Sequence, residues 1–475
     1  MMTNDQKLSV ESVGPAAPLR QLSLFDSTSI IIGIIIGSGL YETTPLVARN
    51  VPSTAWLLAF WAAGGAFALI GSLCFAELAT AYPADGGDYV YLKRGFGLPM
   101  GFLFAWAQLW VIRPGSIGAM AYVFAHYASE LQPLGDHSFA MYAAGSVVVL
   151  TLVNVLGVRQ GKWTQNVLTA AKVLGLLSVF AIGLLFTAAA ADTTASGLAA
   201  TAAKASAATS AEHDPSLFLA MIFIVFTYGG WNDMAYVAAE VRDPSRNILR
   251  ALVCGTAAVM GIYLLANIAF VHALGFQGVG KSQAVAADVA QLALGDSGSK
   301  LISLLICVST LGAINGMIFT GARIYYAMGQ DYRFFALVGR WSPRFGTPAW
   351  SLVIQAATTL AVVLGFGSLA GQDGFQRLVN FTQPVFWSFL LASGVSLFAL
   401  RRREPNHPRP YRVPLYPLIP LLFCAGCALI VYASLDFSIR NRSWEALWSI
   451  GLMAVGVALA WTGRGGTMRR DSERR

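Results

Sequence analysis

Charged residues are scarce in this sequence. Asp, Glu, Lys and Arg together make up 12% of its 475 residues, whereas hydrophobic residues make up 56%. A soluble protein carries about 25% charged residues, so an ordinary soluble domain is excluded. Apolar runs recur along the whole chain, and most approach the roughly 20 residues that cross a bilayer as a helix. The sequence therefore predicts an all-α polytopic membrane protein with twelve transmembrane helices.

Cysteine and histidine are also few, with five residues of each type. Every cysteine falls in a predicted helix, which argues against a disulfide framework. Cys424 and Cys427 have the spacing of a metal or redox pair, but they lie in an apolar run, where cysteine behaves as a small hydrophobe. The histidines are scattered, and the chain contains neither HExxH nor GxSxG. We therefore expect no metal, no cofactor and no enzymatic activity.

The basic residues are distributed unevenly between the predicted loops. With a cytoplasmic N-terminus, 22 of the 32 lysines and arginines fall on the cytoplasmic side of the predicted spans. This asymmetry is the positive-inside bias of membrane proteins, and it accounts for the net charge of +8 without a nucleic-acid partner. We expect a multi-pass protein of the cytoplasmic membrane with both termini in the cytoplasm. The predicted spans are 24–48, 54–81, 98–127, 138–156, 165–190, 215–240, 251–275, 298–328, 348–368, 379–400, 413–434 and 445–463.

Two of the apolar runs are interrupted by small residues. One break is GSG at 37–39, in IIIGIIIGSGLYETT, and the other is GG at 229–230, in IFIVFTYGGWNDMAY. An unpaired backbone N–H or C=O costs several kcal/mol in hydrocarbon, so an unwound segment persists only where protein, water or a ligand satisfies it. Paired discontinuous helices of this kind indicate a secondary transporter with a central site. The alternative is that these glycines only allow close helix packing.

The breaks fall in spans one and six and divide the chain into two sets of five helices. Because five is odd, the second set is inverted relative to the first, giving a 5+5 inverted repeat with discontinuous helices 1 and 6. The predicted parts are a cytoplasmic tail (1–23), the first five-helix set (24–190), a low-complexity extracellular linker (191–214), the inverted set (215–400), two further helices (401–463) and a cytoplasmic tail (464–475).

The two breaks offer complementary chemistry to an amino acid. The half-helix that restarts after the first break presents free N–H groups, which suit a carboxylate, and the half-helices that stop present free carbonyls, which suit an ammonium group. The predicted substrate-binding residues flank both breaks: Ile35, Ser38, Gly39, Leu40, Phe226, Thr227, Tyr228, Gly229 and Asn232. Phe226 and Trp231 are predicted to gate the site.

Several motifs, in order along residues 22–415, resemble the amino acid–polyamine–organocation transporters, and within them the L-type amino acid transporter branch. The resemblance implies a 5+5 inverted fold, alternating access and amino acid substrates. It places the carboxylate-binding loop on Ser38 and Gly39 and the aromatic gate on Phe226. The matching segments are GIIIGSGL (33–40), ELATAYPADGGDYVYLKRGFG (77–97), IRPGS (112–116), TAAKVL (169–174), FTYGGWN (226–232), AAEVRDPSRNI (238–248) and GAING (312–316).

Lys172, in TAAKVL, matches a membrane-embedded lysine whose ammonium replaces the sodium ion of sodium-coupled relatives. The resemblance therefore implies no sodium requirement. Independently, a lysine inside span five is costly and faces a cavity or carbonyl partners, unless it snorkels to the membrane surface. Burial also disfavours its charged form, which leaves proton symport open. Many lysine-bearing relatives have a hydroxyl residue where this chain has Ala313, and Ser309, one turn away, is the expected substitute.

The second break also informs the expected substrate. Relatives that accept cationic amino acids commonly have an acid there, whereas this chain has Gly229 and Gly230, which favours neutral amino acids. Asp233 leaves cationic amino acids or polyamines as an alternative. Animal members of the branch that this sequence resembles are joined to a heavy chain through a cysteine between spans three and four. The loop at 129–138 contains no cysteine, so we expect no disulfide-linked heavy chain. We also expect a stand-alone bacterial protein.

Ionisable residues near the membrane surface complete the predictions. Four acids are candidates for an inner gate with nearby basic residues, although ordinary solvation of the loops and helix ends is the favoured interpretation for any single pair. Arg113, beside Pro114, is expected to bond to freed carbonyls and not to substrate. The acids are Glu77, Asp85, Asp88 and Glu240, and the bases are Lys93, Arg94, Arg242 and Arg246.

The predicted function is sodium-independent transport of neutral L-amino acids across the cytoplasmic membrane by alternating access, as an exchanger or a facilitator. A proton-coupled symporter, a transporter of cationic amino acids or polyamines, and an amino acid sensor remain alternatives.

Overall fold

A computed structural model describes residues 18–186, 217–370, 374–440 and 444–462. Its long elements are all helical, as predicted. Three elements depart from the α-helix: a π-helical segment at Gln108–Ile112 and 3₁₀ helices at Trp231–Glu240 and Arg333–Phe335. In chain order the α-helices are α1 (Leu24–Ile35), α2 (Gly39–Asn50), α3 (Thr54–Ala81), α4 (Asp88–Phe96), α5 (Leu98–Ala107), α6 (Arg113–Leu131), α7 (Ser138–Val155), α8 (Val158–Leu185), α9 (Leu217–Thr227), α10 (Pro244–Lys281), α11 (Val285–Leu294), α12 (Asp296–Asp331), α13 (Ala349–Ala370), α14 (Gly374–Arg403), α15 (Leu418–Arg440) and α16 (Trp444–Thr462).

The helices are long and apolar enough for a polytopic membrane protein. Within the described ranges, eight helices meet the length and hydropathy of a membrane span, and the bent pair of α1 and α2 makes a ninth. The other predicted spans coincide with helices that are shorter or interrupted, such as the stretch from α5 through the π-helical segment to α6. The count of twelve spans and the inverted repeat stay predictions. Two short helices, α4 and α11, were not predicted.

Three predicted segments lie largely outside the described residues. They are the first cytoplasmic tail, of which residues 1–17 are not described, the linker at 191–214, and the second tail at 464–475.

The start of α1 is fixed by its own cap and by α8. Ser23 caps the helix, because its hydroxyl accepts from the Asp26 N–H while the Asp26 carboxylate accepts from the Ser23 N–H at 2.9 Å. The same carboxylate accepts from Lys162 at 3.0 Å and from Asn166 at 2.7 Å, both on α8. The half-helix that leads to the first break is therefore held at its N-terminal end.

The two interrupted stretches meet at the N-terminal end of α1. The Leu22 N–H donates to the Glu240 carbonyl, and the Arg242 N–H donates to the Leu22 carbonyl, both at 2.9 Å. Near the C-terminal end of α1, a Cβ on Gly33 would lie 1.9 Å from Nε2 of Gln165 and 2.5 Å from Oγ1 of Thr169, so the absence of a side chain at this position lets α1 pack closely on α8. The Leu22 contacts place the end of the 3₁₀ helix Trp231–Glu240 beside the start of α1.

Candidate functional site

The first break separates α1 from α2, whose axes differ by 49°. α1 ends at Ile35 and α2 begins at Gly39. Within the described part of the chain, the backbone N–H groups of Ser38, Gly39 and Leu40 donate to no acceptor. They are the free donors that the start of a helix leaves unpaired. The break therefore presents a group of main-chain donors, as the sequence predicted.

The second break lies between α9 and the 3₁₀ helix Trp231–Glu240. Gly230 has φ of +109°, in the left-handed region where a side chain is strained. A Cβ at this position would also lie 2.7 Å from Cγ2 of Ile34. Glycine is thus required at 230 both for the turn and for its close approach to α1.

Tyr263 on α10 joins the carbonyl ends of the two half-helices. Its hydroxyl lies 3.0 Å from the Ile35 carbonyl and 3.4 Å from the Thr227 carbonyl. The Phe226 carbonyl accepts from the Gly229 N–H at 3.0 Å. Because a carbonyl oxygen has two lone pairs, each of these predicted ammonium acceptors keeps capacity for a second donor.

A cavity of about 130 Å³ lies between the breaks. On the same measure one water needs about 10–15 Å³, so the cavity has the volume of roughly ten waters. It is lined by the two breaks, by the π-helical segment and α6, and by α12 and α14. The lining residues are Ile34, Ile35, Gly37, Gly39, Gln108, Ile112, Arg113, Ser116, Ala119, Met120, Phe226, Thr227, Gly229, Gly230, Asp233, Tyr236, Ala313, Met317, Val379, Thr382, Gln383, Phe386 and Trp387.

The structure brings five of the nine predicted substrate-binding residues to this cavity: Ile35, Gly39, Phe226, Thr227 and Gly229.

The other four predicted residues do not line it. Ser38 and Leu40 are buried and contribute their N–H groups to the break. The Tyr228 hydroxyl donates to the Trp61 carbonyl at 3.0 Å, and Nδ2 of Asn232 donates to the Tyr236 hydroxyl at 2.9 Å.

The two predicted gating residues have different surroundings. Phe226 lines the first cavity and also a second one, of about 180 Å³, together with Gly39, Val379, Gln383 and Trp387. It therefore stands between the two cavities. Trp231 instead packs against Phe75 and Phe423, with ring centroids 5.1 and 5.9 Å away. The structure does not place Trp231 at either cavity, because its ring fills the contact between α3 and α15.

Lys172 lies beside the first break with its ammonium fully enclosed. Nζ donates to the carbonyls of Gly33 at 2.8 Å, Ile36 at 2.6 Å and Ser309 at 2.7 Å. The side chain is 0% exposed, which rules out snorkelling. All three donors of an ammonium group are used, and they join α8, α12 and the end of α1.

Ser309, the hydroxyl residue predicted to lie near Lys172, contacts the same break. Its Oγ donates towards the carbonyls of Ile36 at 3.0 Å and Gly37 at 3.2 Å. A Cβ on Gly312 would lie 2.9 Å from the Lys172 ammonium. The break is therefore braced by one charged and one neutral donor, in a space too tight for a larger neighbour.

Arg113 does not bond mainly to freed carbonyls, and that prediction was wrong. Its Nη1 lies 2.6 Å from Oδ2 of Asp233, and its Nε lies 3.2 Å from Oε1 of Gln108. The carbonyl that it contacts in the described part of the chain, that of Met317, is farther away, at 3.4 Å. Thr320 donates to the same Asp233 oxygen at 2.8 Å. The carboxylate was missed because it lies 120 residues away in the sequence.

The candidate inner-gate pairs are not the ones that the described residues form. Glu77 pairs with Arg401 at 2.5 Å, and Glu240 pairs with Arg323 at 2.7 Å. Lys93 and Arg94 bind other acids, with N–O distances of 2.7 and 3.2 Å. These acids, Asp331 and Glu404, are distant in sequence, so proximity along the chain was a poor guide.

Asp88, on the short helix α4, is buried without such a partner. Burial raises the pKa of its carboxyl to about 7, although the neighbouring Ser393 and Tyr236 side chains partly oppose this. Below about pH 7 the neutral form of the acid is therefore favoured in the folded protein.

A bundle of apolar helices with two interrupted ones around a central cavity has the construction of a secondary transporter. The profile of the family described as amino acid permease matches residues 22–458. The chain belongs to this amino acid permease family, in the L-type-like branch of the amino acid–polyamine–organocation superfamily, and it is an amino acid transporter.

Curated relatives cover nearly the whole chain. It is 30% identical over 442 residues to the b(0,+)-type amino acid transporter 1 of Mus musculus, covering 92% of this chain and 86% of that protein. It is 29% identical over 460 residues to the large neutral amino acids transporter small subunit 2 of Homo sapiens, covering 95% and 80%. It is 27% identical over 447 residues to the serine/threonine exchanger SteT of Bacillus subtilis (strain 168), covering 92% and 96%.

Proposed function

We propose that this protein is a sodium-independent transporter of neutral L-amino acids that works by alternating access, as an exchanger or a facilitator. In this proposal it has twelve spans in a 5+5 inverted repeat, cytoplasmic termini and a location in the cytoplasmic membrane. The observation that carries the proposal is the Lys172 ammonium, bonded to three carbonyls at the first break.

Sodium coupling needs a site in which oxygen atoms surround the ion. Here the carbonyls of Gly33, Ile36 and Ser309 already surround the Lys172 ammonium. Two like unit charges 4 Å apart repel by about 4 kcal/mol at an effective dielectric constant of about 20. A sodium ion beside Lys172 would therefore be disfavoured, and the break is stabilised without one.

In the proposed complex, main-chain groups hold both ends of the amino acid. The free N–H groups of Ser38, Gly39 and Leu40 bind the carboxylate, as helix starts bind anions. The remaining lone pairs of the Phe226 and Thr227 carbonyls receive the ammonium group. The side chain then points across the cavity towards α6 and α12.

A neutral substrate is supported by the charges at the cavity. Gly229 and Gly230 bring no acid to the second break, and the Asp233 carboxylate is already paired with Arg113. The relatives named for large neutral amino acids and for serine/threonine exchange agree with this proposal. Among the described residues that line the first cavity, Asp233 is the one acid, so none of them offers the unpaired carboxylate that a cationic side chain would need.

Uptake into proteoliposomes tests the proposal. Labelled serine, alanine and leucine are offered to vesicles that hold unlabelled amino acid or buffer alone, with sodium replaced by choline. We expect uptake that is unchanged without sodium, and an exchanger will also require internal amino acid. Uptake that collapses in choline would contradict the proposal.

The same vesicles distinguish the alternatives. Uptake driven by an inward proton gradient into empty vesicles would establish the proton symporter. Strong competition by arginine, ornithine and putrescine, without competition by neutral amino acids, would establish the cationic alternative. Binding of an amino acid without any counterflow would establish the sensor.

A further inference from the structure

The wall of the first cavity that faces the breaks contains a buried ion pair. Arg113 and Asp233 both line the cavity, and their side chains are only 4% and 7% exposed. Tyr236 covers the guanidinium, whose carbon lies 5.1 Å from the ring centroid. Neither charge takes part in the main-chain recognition of the substrate proposed above.

The pair leaves one acceptor and one donor unused. Thr320 and Arg113 both donate to Oδ2 of Asp233, so Oδ1 has no donor among the described residues. Arg113 uses Nη1 and Nε, so Nη2 likewise has no acceptor there. Neither atom belongs to the fully enclosed polar atoms that lack a partner. Both therefore keep exposed surface on residues that line the cavity.

The arrangement suits an uncharged polar side chain. A hydroxyl or carboxamide can both donate and accept hydrogen bonds. It can therefore donate a hydrogen bond to Oδ1 of Asp233 and accept one from Nη2 of Arg113. A cationic side chain would approach Asp233 only beside the Arg113 guanidinium, and an anionic one would meet the Asp233 carboxylate. A buried ion pair is weak evidence for stability alone, which leaves its place on the cavity wall to be explained.

We propose that the Arg113–Asp233 pair determines substrate specificity by accepting small amino acids with a hydroxyl or carboxamide side chain and excluding charged ones. The proposal rests on the proposed function, since it requires the amino acid to occupy this cavity. It names serine, threonine and asparagine as the preferred class, ahead of alanine and leucine.

The two variants that each remove one charge should change substrate specificity in opposite directions. In Arg113→Gln, Asp233 is unpaired, so lysine and ornithine should gain at least about tenfold as competitors of labelled serine, while glutamate gains nothing. In Asp233→Asn, Arg113 is unpaired, so aspartate and glutamate should gain by a similar factor and lysine should not. The double variant, with Arg113→Gln and Asp233→Asn, should exclude neither cationic nor anionic competitors strongly. Its preference for serine over alanine should fall about tenfold.

A second buried pair provides the matched control. Arg323 and Glu240 are both 1% exposed and 2.7 Å apart, but neither lines the cavity. Arg323→Gln should change stability or total uptake while leaving the order of competitors unchanged. If Arg113→Gln and Asp233→Asn behave in the same way, lowering uptake of every substrate equally, the pair is only structural and the inference is wrong.

Charge-preserving variants keep the test decisive if the single removals do not fold. Arg113→Lys and Asp233→Glu should still exclude charged competitors but should reduce the serine preference over alanine, and an unchanged preference would refute the inference. The wild-type protein separates the two levels of the argument. If it transports no amino acid, the proposed function fails, whereas if it transports leucine and serine equally well, only the inference fails.

Discussion

Replacement of Lys172 by alanine removes the ammonium that joins three helices at the first break. The Gly33 carbonyl then has no donor among the described residues, because the Gly37 N–H bonds to Ile35 instead. The Ile36 carbonyl keeps the Ser309 hydroxyl at 3.0 Å. The perturbation therefore leaves at least one buried carbonyl unpaired and opens a space between α1, α8 and α12.

The size of the effect follows from that unpaired carbonyl. A buried acceptor that loses its donor costs about 1–3 kcal/mol, which corresponds to roughly 5- to 150-fold in the population of a state. If the braced break is the conformation that binds substrate, uptake should fall by a factor in this range. Uptake by Lys172→Met, which keeps much of the side-chain length but has no donor, should fall by a similar factor.

The assay is initial uptake of labelled serine at matched protein content in proteoliposomes, with thermal unfolding measured in parallel. Lys300→Ala is the matched control, because Lys300 is an exposed lysine on α12, and its uptake should equal that of the wild type. Unchanged uptake in Lys172→Ala would refute the role assigned to this ammonium.

Three further predictions concern the second break, the partition between the cavities and the short helix α4. Gly230→Ala should abolish most uptake, because alanine is strained at this positive φ and its Cβ would lie 2.7 Å from Ile34. Gly275→Ala is the control: its φ is +73° and no atom lies within 4 Å of the added Cβ, so only the backbone strain should remain. Phe226→Ala should raise the KM for serine, because it removes the ring between the two cavities. Since burial raises the pKa of Asp88 to about 7, wild-type stability should fall as pH rises from about 4 towards 7 and then level off, and Asp88→Asn should flatten this dependence.

Each of these predictions has a contradicting result. Equal uptake in Gly230→Ala and Gly275→Ala would show that close packing at the second break is unimportant. An unchanged KM in Phe226→Ala would remove the ring from substrate access. Parallel curves of unfolding temperature against pH for the wild type and Asp88→Asn would show that this carboxyl does not set the dependence.

The features predicted well are residues that differ in character from the apolar residues around them. Glycines at 37, 39, 229 and 230 interrupt long hydrophobic stretches, and the structure ends or begins a helix at each place. Lys172 stands out for the same reason, because a lysine in a span requires partners. Hydrophobic pattern and backbone chemistry were enough to locate the breaks.

The features missed depend on partners far apart in sequence. Arg113 meets Asp233 across 120 residues, and Glu77 meets Arg401 across 324. The role of Trp231 as a gate stays a prediction, and the direction of its ring, which the sequence does not give, depends on Phe75 and Phe423. Side-chain direction near an irregular turn cannot be obtained from helical periodicity.

A structure determined with serine bound tests most directly whether main-chain groups of the two breaks hold the substrate. We expect the serine carboxylate about 2.7–3.2 Å from the N–H groups of Ser38, Gly39 and Leu40, with its ammonium group at the Phe226 and Thr227 carbonyls. A carboxylate bound instead to the Arg113 guanidinium, or serine bound outside the first cavity, would contradict the account.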